Sequence, residues 1–372
     1  MTHPNETSLQ AVRNQISAAI LHRLDPSEPL SAGAQHWHGR SLLEISRSYL
    51  DLLGVSSRGL DRLTLAATAL QFRSAGMGTT SDFSSIMANV ATKRLYKAYA
   101  ENPGTFARWA RRAPNAPNFK PLSVVQVSAV PDLLLVGEHG EFKYGTLKDS
   151  GETYSVATFG RIVSLSRQAL VNDDLRAFDR LVLGYGAAAA RLENRMVYAQ
   201  LTGNANMSDG NALFSAAHAN NGTGAGSALQ FSALTAMRTA IRLQKGLQSE
   251  ELNLAPAYLI VPASLEQSAY QLTSAGYVPV TQAAVSEFRE NGRTSLEPIV
   301  EPVLDTLSVA TWYAAASSGQ VDTVEYCWLD GAEGPTIETQ AGFETDGVSF
   351  KCRLDFATKA IDWRGLYRGV GS

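Results

Sequence analysis

Residues 151–201 read GETYSVATFGRIVSLSRQALVNDDLRAFDRLVLGYGAAAARLENRMVYAQL, and this stretch decides the fold that the sequence predicts. Its first part is rich in β-branched and aromatic residues, which is typical of a strand. Its second part repeats apolar side chains at alternating spacings of three and four, which predicts an amphipathic helix from about Asp173 to Leu201. At ~1.5 Å per residue this helix is roughly 40 Å long, more than most globular helices, and we name it the spine helix.

We expect one apolar stripe along the spine helix to supply core contacts. Asn172 is predicted to cap the helix, and Asp173 and Asp174 suit the positive end of the helix dipole. Ala189 and Ala199 fall on the same stripe. The predicted packing positions are Leu175, Phe178, Val182, Tyr185, Leu192 and Met196.

Composition narrows the class of protein. A chain of 372 residues is long enough to bury a sizeable core, and its net charge of -3 argues against general polyanion binding. Charged residues make up 18% of the chain, below the ~25% typical of globular domains. Two explanations stay open: other subunits cover much of the surface, or a monomer surface is rich in hydroxyl groups and glycine. No apolar run is long enough to span a membrane.

The sequence offers no site for catalysis, metal or cofactor. Cys327 and Cys352 are the only cysteines, and we expect them to be buried free thiols. His36 and His38 lack further ligands at a metal-binding spacing. His218 has no serine or cysteine nucleophile to serve. We therefore predict a protein that is not an enzyme.

A long hairpin is predicted ahead of the spine helix. Residues 121–137 and 153–166 have strand composition, and EHGEFKYGTLKDSGE joins them as a polar tip that carries Lys143, Lys148 and Glu152. Neither strand alternates cleanly between apolar and polar residues, so the hairpin has no obvious face to bury on its own core. We expect its tip to contact another molecule.

A basic run lies earlier in the chain. Seven Lys or Arg and one acid occur from Lys93 to Lys120, with aromatic residues between them. One interpretation is contact with nucleic acid through Arg108, Arg111 and Arg112 on an inner face. The other is a helix face whose charges pair with acidic neighbours.

The remaining pattern is helices first and an antiparallel sheet late, which predicts an α+β fold. Residues 1–77 are expected to form a helical arm, and GMGTTS at 76–81 is expected to be a linker between this arm and the body. Residues 321–362 read as strands with turns between them.

Three segments resemble the major capsid protein of tailed bacteriophages of the Mu-like type, a group that includes fusions behind a ClpP-like prohead protease. The resemblance covers about residues 76–365, the capsid portion of such a fusion, and implies the HK97 fold. Residues 1–77 are too short to be that protease. The segments are SDFSSIMANVATKRL at 81–95, FGRIVSLSRQALVNDDLRAF at 159–178 and ALFSAAHANN at 212–221.

The resemblance implies a division of the chain into six parts. The extended loop would overlap a neighbouring subunit, and the linker at 76–81 is the expected place for any cleavage. We expect no isopeptide crosslink, because no matching acid or Asn acceptor accompanies Lys143 and Lys148. The parts are an N-terminal helical arm or scaffold-like segment (1–77), the N-terminal part of the body (78–120), the extended loop (121–166), a peripheral domain with the spine helix (167–231), an axial domain (232–313) and a return to the peripheral domain (314–372).

The resemblance also implies a function. Copies of the chain would assemble into pentamers and hexamers and then into an icosahedral head around double-stranded DNA, contacted non-specifically. Assembly would take place in the bacterial host cytoplasm, with portal, scaffold or protease, and decoration proteins as partners, and with no membrane or cofactor. The alternative is an encapsulin-like compartment that stores a cargo enzyme.

Overall fold

The computed structural model describes residues 6–71, 82–127, 149–166, 168, 171–247, 249–274, 295–342 and 347–371. Within the chain, two compact units each combine separate stretches of sequence. Unit 1 comprises Met1–Pro103, Thr158–Arg191 and Gly331–Asp355, and unit 2 comprises Gly104–Ala157, Leu192–Asp330 and Phe356–Ser372.

The elements confirm the predicted mixture of helices and strands. The α-helices are α1 (Glu6–Leu24), α2 (Leu42–Leu52), α3 (Arg62–Gln71), α4 (Asp82–Ala100), α5 (Leu175–Gly203), α6 (Phe231–Arg242) and α7 (Glu266–Thr273). The strands are β1 (Arg111–Arg112), β2 (Leu122–Val127), β3 (Asp149–Tyr154), β4 (Ala157–Ser166), β5 (Asn221–Gly222), β6 (Pro256–Val261), β7 (Glu297–Val300), β8 (Thr311–Ala316), β9 (Val324–Trp328), β10 (Thr336–Gly342), β11 (Gly347–Ala360) and β12 (Leu366–Val370).

The core of unit 1 is shared by the first helices, the spine helix and a late strand. Ile16 and Ile20 of α1 are buried in the same apolar cluster as Phe178 of the spine helix and Phe350 of β11. The rings of Phe178 and Phe350 lie 4.8 Å apart, centroid to centroid. The helices expected to form a separate arm are therefore an integral part of this unit.

Helix α2 starts at a capping box formed by Ser41 and Glu44. Ser41 accepts a hydrogen bond from the Glu44 N–H through its hydroxyl, and the Glu44 carboxylate accepts one from the Ser41 N–H at 2.8 Å. This capping box satisfies two amides at the helix N-terminus. It directs Leu42, Ile45 and Tyr49 into the core of unit 1.

The spine helix is α5, and it begins at Leu175, two residues later than predicted. Its N-cap is Asp174, whose carboxylate accepts a hydrogen bond from the Ala177 N–H at 3.3 Å, so the predicted Asn172 cap is wrong. The intervening Asp173 has a left-handed backbone with φ of 55°. Its carboxylate accepts a bond from the Leu42 N–H at 3.0 Å and pairs with Arg23, and this tertiary role displaces the helix start.

The buried face of the spine helix matches the predicted stripe only in its first half. Leu175, Phe178 and Val182 are buried and Tyr185 packs partly against the same core. Leu192 and Met196 are only half-buried, and Ala199 is exposed. Alternating spacings of three and four correspond to a period of 3.5 residues, whereas the buried positions of this helix recur with a slightly longer period. Ala189 of the predicted stripe is buried, and the other buried positions in the second half are Ala190, Glu193, Val197, Tyr198 and Leu201.

Each unit contains its own strand pairing. In unit 1, β10 pairs antiparallel with β11 from Thr336↔Arg353 to Gly342↔Gly347, and β4 also pairs with β11. In unit 2, a sheet runs in the order β5-β12-β8-β6-β7, in which β6 and β7 are parallel and β8 is antiparallel to both of its neighbours. Strand β9 pairs antiparallel with Phe356–Ala360 and parallel with β1.

The hairpin before the spine helix is described at its base only, since residues 128–148 lie outside the described residues. Strands β2 and β3 pair antiparallel from Leu122↔Tyr154 to Val127↔Asp149. The chain then enters β4, which leaves the hairpin and pairs with β11. The predicted second strand at 153–166 is thus two strands with different partners, because Ser155 and Val156 interrupt the extended pairing.

Both cysteines are free and buried, as predicted. Cys327 lies opposite Ala357 in its strand pair, and Cys352 lies opposite Ile337. Burial raises the pKa of the Cys352 thiol to about 11, so this thiol is protonated and unreactive at neutral pH. No helix in the described part of the chain is long and apolar enough to cross a membrane.

Candidate assembly surface

The hairpin base is held in unit 2 by alternate side chains of one strand. Glu152 and Val156 are buried and Tyr154 is half-buried, whereas Gly151, Thr153 and Ser155 between them are exposed. Tyr154 and Val156 pack with a small apolar cluster that includes Cys327 and Ala357. This segment therefore does have an inward face. The prediction that apolar and polar residues do not alternate was wrong for this segment, because a glutamate occupies one of the inward-facing positions.

Glu152 lies elsewhere than the prediction placed it. Its residue is 6% exposed, and its carboxylate accepts a hydrogen bond from the Ser208 N–H at 2.6 Å and lies 3.5 Å from the Lys359 ammonium. A buried carboxylate with a backbone donor and a cation is a fixed structural group. Glu152 thus anchors the base of the hairpin to its own subunit rather than forming part of a free polar tip.

Lys143 and Lys148 fall at 128–148, outside the described residues. Their contact with a neighbouring subunit therefore stays a prediction. The structure does describe the two paired strands that flank this segment, of which β2 ends at Val127 and β3 begins at Asp149.

The basic run is largely neutralised within the chain. Arg108 pairs with Glu297, and Arg111 pairs with Asp322 and lies 3.9 Å from Glu325. The Arg112 guanidinium lies 4.9 Å from the centre of the Trp328 ring, at a cation–π distance. Of the two interpretations of this run, the geometry of Arg108 and Arg111 matches pairing with acidic neighbours.

A buried charge cluster that the sequence analysis did not predict ties α4 and Asp25, just after α1, to the spine helix. The Arg94 guanidinium donates two hydrogen bonds to the Asp179 carboxylate, at 2.7 and 2.8 Å, and a third to Asp25 at 2.7 Å. Arg94 and Asp179 are each 7% exposed. Asp179 follows Phe178 inside the apolar stripe, and no spacing rule connects it to a partner 85 positions earlier. A charged residue next to a core position was the only available signal.

Two more polar groups are fixed inside unit 2. The Glu193 carboxylate of the spine helix accepts a hydrogen bond from the Trp328 indole N–H at 2.8 Å. The His218 ring stacks on Trp363 with centroids 4.1 Å apart. Its Nε2 lies 2.7 Å from the Asp209 carboxylate and its Nδ1 lies 3.1 Å from the Leu213 carbonyl. His218 is therefore engaged on both nitrogens as a structural residue.

The described side chains do not form a metal site. Among them, no group of three or more His, Cys, Asp or Glu is arranged to hold a metal ion. The clusters above consist of ion pairs and hydrogen bonds whose acceptors are already occupied. These contacts hold one element of the subunit against another.

Comparison with known proteins gives one family and a group of similar structures. A family model described as phage capsid protein matches residues 151–369, more than half of the chain. That range begins within β3 and includes β4, the spine helix and the strands from β5 to nearly the end of β12. No curated protein matches the chain.

Among solved structures, the capsid of Ralstonia phage GP4 is similar with a TM-score of 0.51 and 11% identity, over 73% of this chain and 92% of that one. At this identity the likeness concerns the fold alone, and it confirms the predicted HK97-like fold. The procapsid of bacteriophage JBD30 has a TM-score of 0.43 and 14% identity, over 79% of this chain and 76% of that one. A virus-like particle from Pyrococcus furiosus has a TM-score of 0.46 and 11% identity, over 75% of this chain and 97% of that one.

Proposed function

The chain belongs to the phage capsid protein family, and from this we propose that its copies form the pentamers and hexamers of an icosahedral head around double-stranded DNA. Its role is structural, as a homo-oligomeric shell protein of the virion. The observation that carries this is the family match over residues 151–369. The same match favours a phage head over an encapsulin-like storage compartment.

The proposed mechanism is heterologous association, in which one surface of a subunit meets a different surface of the next and closed rings result. The hairpin supplies the first surface in this proposal. Its base is fixed to its own subunit through Glu152 and Val156, so a contact made beyond Val127 and Asp149 would be transmitted to a rigid body. We propose that the segment with Lys143 and Lys148 makes that contact.

The division into capsid parts is also a proposal. We assign residues 121–166 to the extended loop, 167–231 to the peripheral domain and 232–313 to the axial domain, with 314–372 returning to the peripheral domain. Unit 2 supports the axial assignment in one respect, because α6, β6, α7, β7 and β8 fall within 231–316 and share one apolar cluster. Membership of the Mu-like fusion group is proposed on the sequence resemblance alone.

We further propose assembly in the bacterial host cytoplasm, with a portal, a scaffold or protease, and decoration proteins as partners. Ordinary ion pairs are expected at the loop rather than an isopeptide bond, because no acid or Asn acceptor can be matched to Lys143 and Lys148. A ladder of crosslinked oligomers that survives SDS denaturation would overturn this expectation.

The experiment on the loop is a deletion confined to residues 138–147 of the full-length chain. This range leaves both paired strands intact, so we expect a folded subunit that assembles poorly, as seen by electron microscopy and sedimentation.

A milder test is Lys148→Glu, with the exposed Lys120→Glu as a control of equal charge outside the loop. Normal shells from the deletion would count heavily against the overlap, and shells absent even from the unaltered chain would count against the capsid role itself.

A further inference from the structure

The exposed side of the spine helix carries a row of arginines. Arg176, Arg180, Arg191 and Arg195 are all exposed. With ~3.6 residues per turn they fall within an arc of about 100° on the helix, roughly opposite the face that Phe178 and Val182 bury. We name these four residues the arginine row.

The row has a regular spacing along the helix axis. Arg176 and Arg180 are one turn apart, about 6 Å, and so are Arg191 and Arg195. The two pairs are separated by about 16 Å at ~1.5 Å per residue. The row thus extends over roughly 28 Å along the spine helix, which is close to one turn of a B-form duplex at ~34 Å.

No described residue forms an ion pair with any of the four guanidinium groups, in contrast to the ion-paired Arg108 and Arg111. The acids of the same helix point elsewhere: Asp179 is bound to Arg94, and Glu193 to Trp328. Before the helix, Asp173 is paired with Arg23, and Asp174 caps the first turn. Within the described part of the chain, the row is therefore a positive surface without paired acids, on a chain whose net charge is negative.

We propose that the arginine row binds the phosphate backbone of the packaged double-stranded DNA without reading its sequence. Charge complementarity carries the assignment, because exposed guanidinium groups that have no ion-pair partner among the described residues are well suited to bind phosphate. This inference rests on the proposed function, since it takes a DNA-filled head as given. It replaces Arg108, Arg111 and Arg112 as the main DNA contact of the subunit.

The test measures binding of the full-length protein to a fluorescent 30-base-pair duplex of random sequence across a range of salt concentrations. The variant is Arg176→Gln/Arg180→Gln/Arg191→Gln. For B-form DNA the slope of log K against log[salt] changes by ~0.9 per phosphate contact. We therefore expect the triple variant to reduce the slope by up to about 2.7.

Two further variants keep the test decisive. Arg47→Gln/Arg58→Gln/Arg62→Gln removes three other exposed arginines of unit 1 and so makes the same change in net charge; it should leave the slope near its native value. Arg176→Lys/Arg180→Lys/Arg191→Lys keeps the charges and should also keep the slope. A triple glutamine variant of the arginine row that binds DNA with the native slope overturns the proposal, as does an equal loss in the matched control.

Electron microscopy of the same preparations separates this inference from the capsid role. Shells formed by the glutamine variant together with weakened DNA binding support the proposal. Loss of shells with unchanged DNA binding would overturn it and would assign the row to a contact between copies. Loss of shells in the native chain would instead remove the proposed function.

Discussion

At the scale of single residues, the buried ion pair between Arg94 and Asp179 joins two helices of unit 1. Its two hydrogen bonds are in the parallel geometry that matches guanidinium to carboxylate. Such a pair adds little over an apolar pair of the same shape, but removing one partner leaves a buried charge without compensation. Its value to the protein lies in fixing how α4 meets the spine helix within unit 1.

We expect Asp179→Ala to lower the free energy of unfolding by about 3–5 kcal/mol, because Arg94 then keeps only its bond to Asp25. Urea unfolding followed by circular dichroism measures this change. Glu101→Ala is the matched control, since Glu101 is an exposed acid just after α4, and it should shift the free energy by less than ~0.5 kcal/mol. Equal stability of the two variants would show that the buried pair does not hold the unit together.

The pH dependence of stability should report Asp25. The hydrogen bond from Lys97 holds the pKa of Asp25 well below its usual range, with further help from Ser27 and Arg94. A depressed folded-state pKa gives stability that is present above the unfolded value near 4 and is lost as pH falls toward the folded value. Asp25→Asn should therefore flatten the loss of stability between pH 4 and pH 2, measured as the urea midpoint at each pH. An unchanged acid slope would contradict this assignment.

At the scale of elements, alanine substitutions at two glycines of the spine helix should have opposite effects on stability. A Cβ at Gly186 would lie 2.5 Å from the Leu95 carbonyl oxygen and 3.0 Å from the Ala98 Cβ, so α4 and the spine helix approach each other closely there. A Cβ at Gly184 would meet open space. The two positions lie in the same helix within unit 1, and they differ mainly in this clearance.

We expect Gly184→Ala to stabilise the protein by up to about 1 kcal/mol, the helix propensity gained over glycine. Gly186→Ala should instead destabilise it by about 1–3 kcal/mol, because the clash with the backbone of α4 outweighs the same gain. Thermal unfolding of both variants under one buffer condition measures the difference. A similar shift for the two would mean that α4 can move away at little cost.

The spine helix shows how far sequence alone reaches at this scale. Its type, its length and its first buried positions were predictable, because apolar periodicity reports burial of a helix directly. Its cap was not, since Asp173 accepts a bond from Leu42, which is 131 positions away in the chain. The second half of its buried face was mispredicted because Glu193 is buried there and Ala199 is not.

The hairpin shows the same limit for strands. Strand composition located it, but a buried glutamate at position 152 hid the alternation that would have revealed its inward face. Strand partners depend on residues far along the chain, so β4 could not be separated from β3 by composition. The family resemblance supplied the fold where periodicity did not.

At the scale of the whole molecule, the N-terminal helices form part of the core of unit 1. About half of the described buried residues in the core of unit 1 come from positions before residue 77, among them Ile16, Leu42 and Tyr49. We expect a chain that begins at residue 78 to lose cooperative unfolding and to be insoluble, because the apolar faces of α4 and the spine helix are then uncovered. Solubility, circular dichroism and electron microscopy of the truncated chain test this.

The same point bears on the expected cleavage near 76–81. Normal shells from the truncated chain would restore the view of residues 1–77 as a removable arm. Mass spectrometry of mature particles gives an independent measurement: we expect residues 6–71 to remain in the particle, covalently attached or held by the Asp25 and Arg23 contacts.

The core of unit 1 joins Ile16 and Leu21 to Val348 and Phe350, which are more than 320 positions later in the chain. At a synthesis rate of ~5–20 residues per second, roughly 16–65 s separate the appearance of these two parts at the ribosome. During that interval the apolar side of α1 has no β11 to cover it, and closing so long a loop makes folding slow. The subunit can complete this core only after residue 350 has been synthesised. Until then, the cell must keep nascent chains from aggregating through the uncovered apolar side of α1.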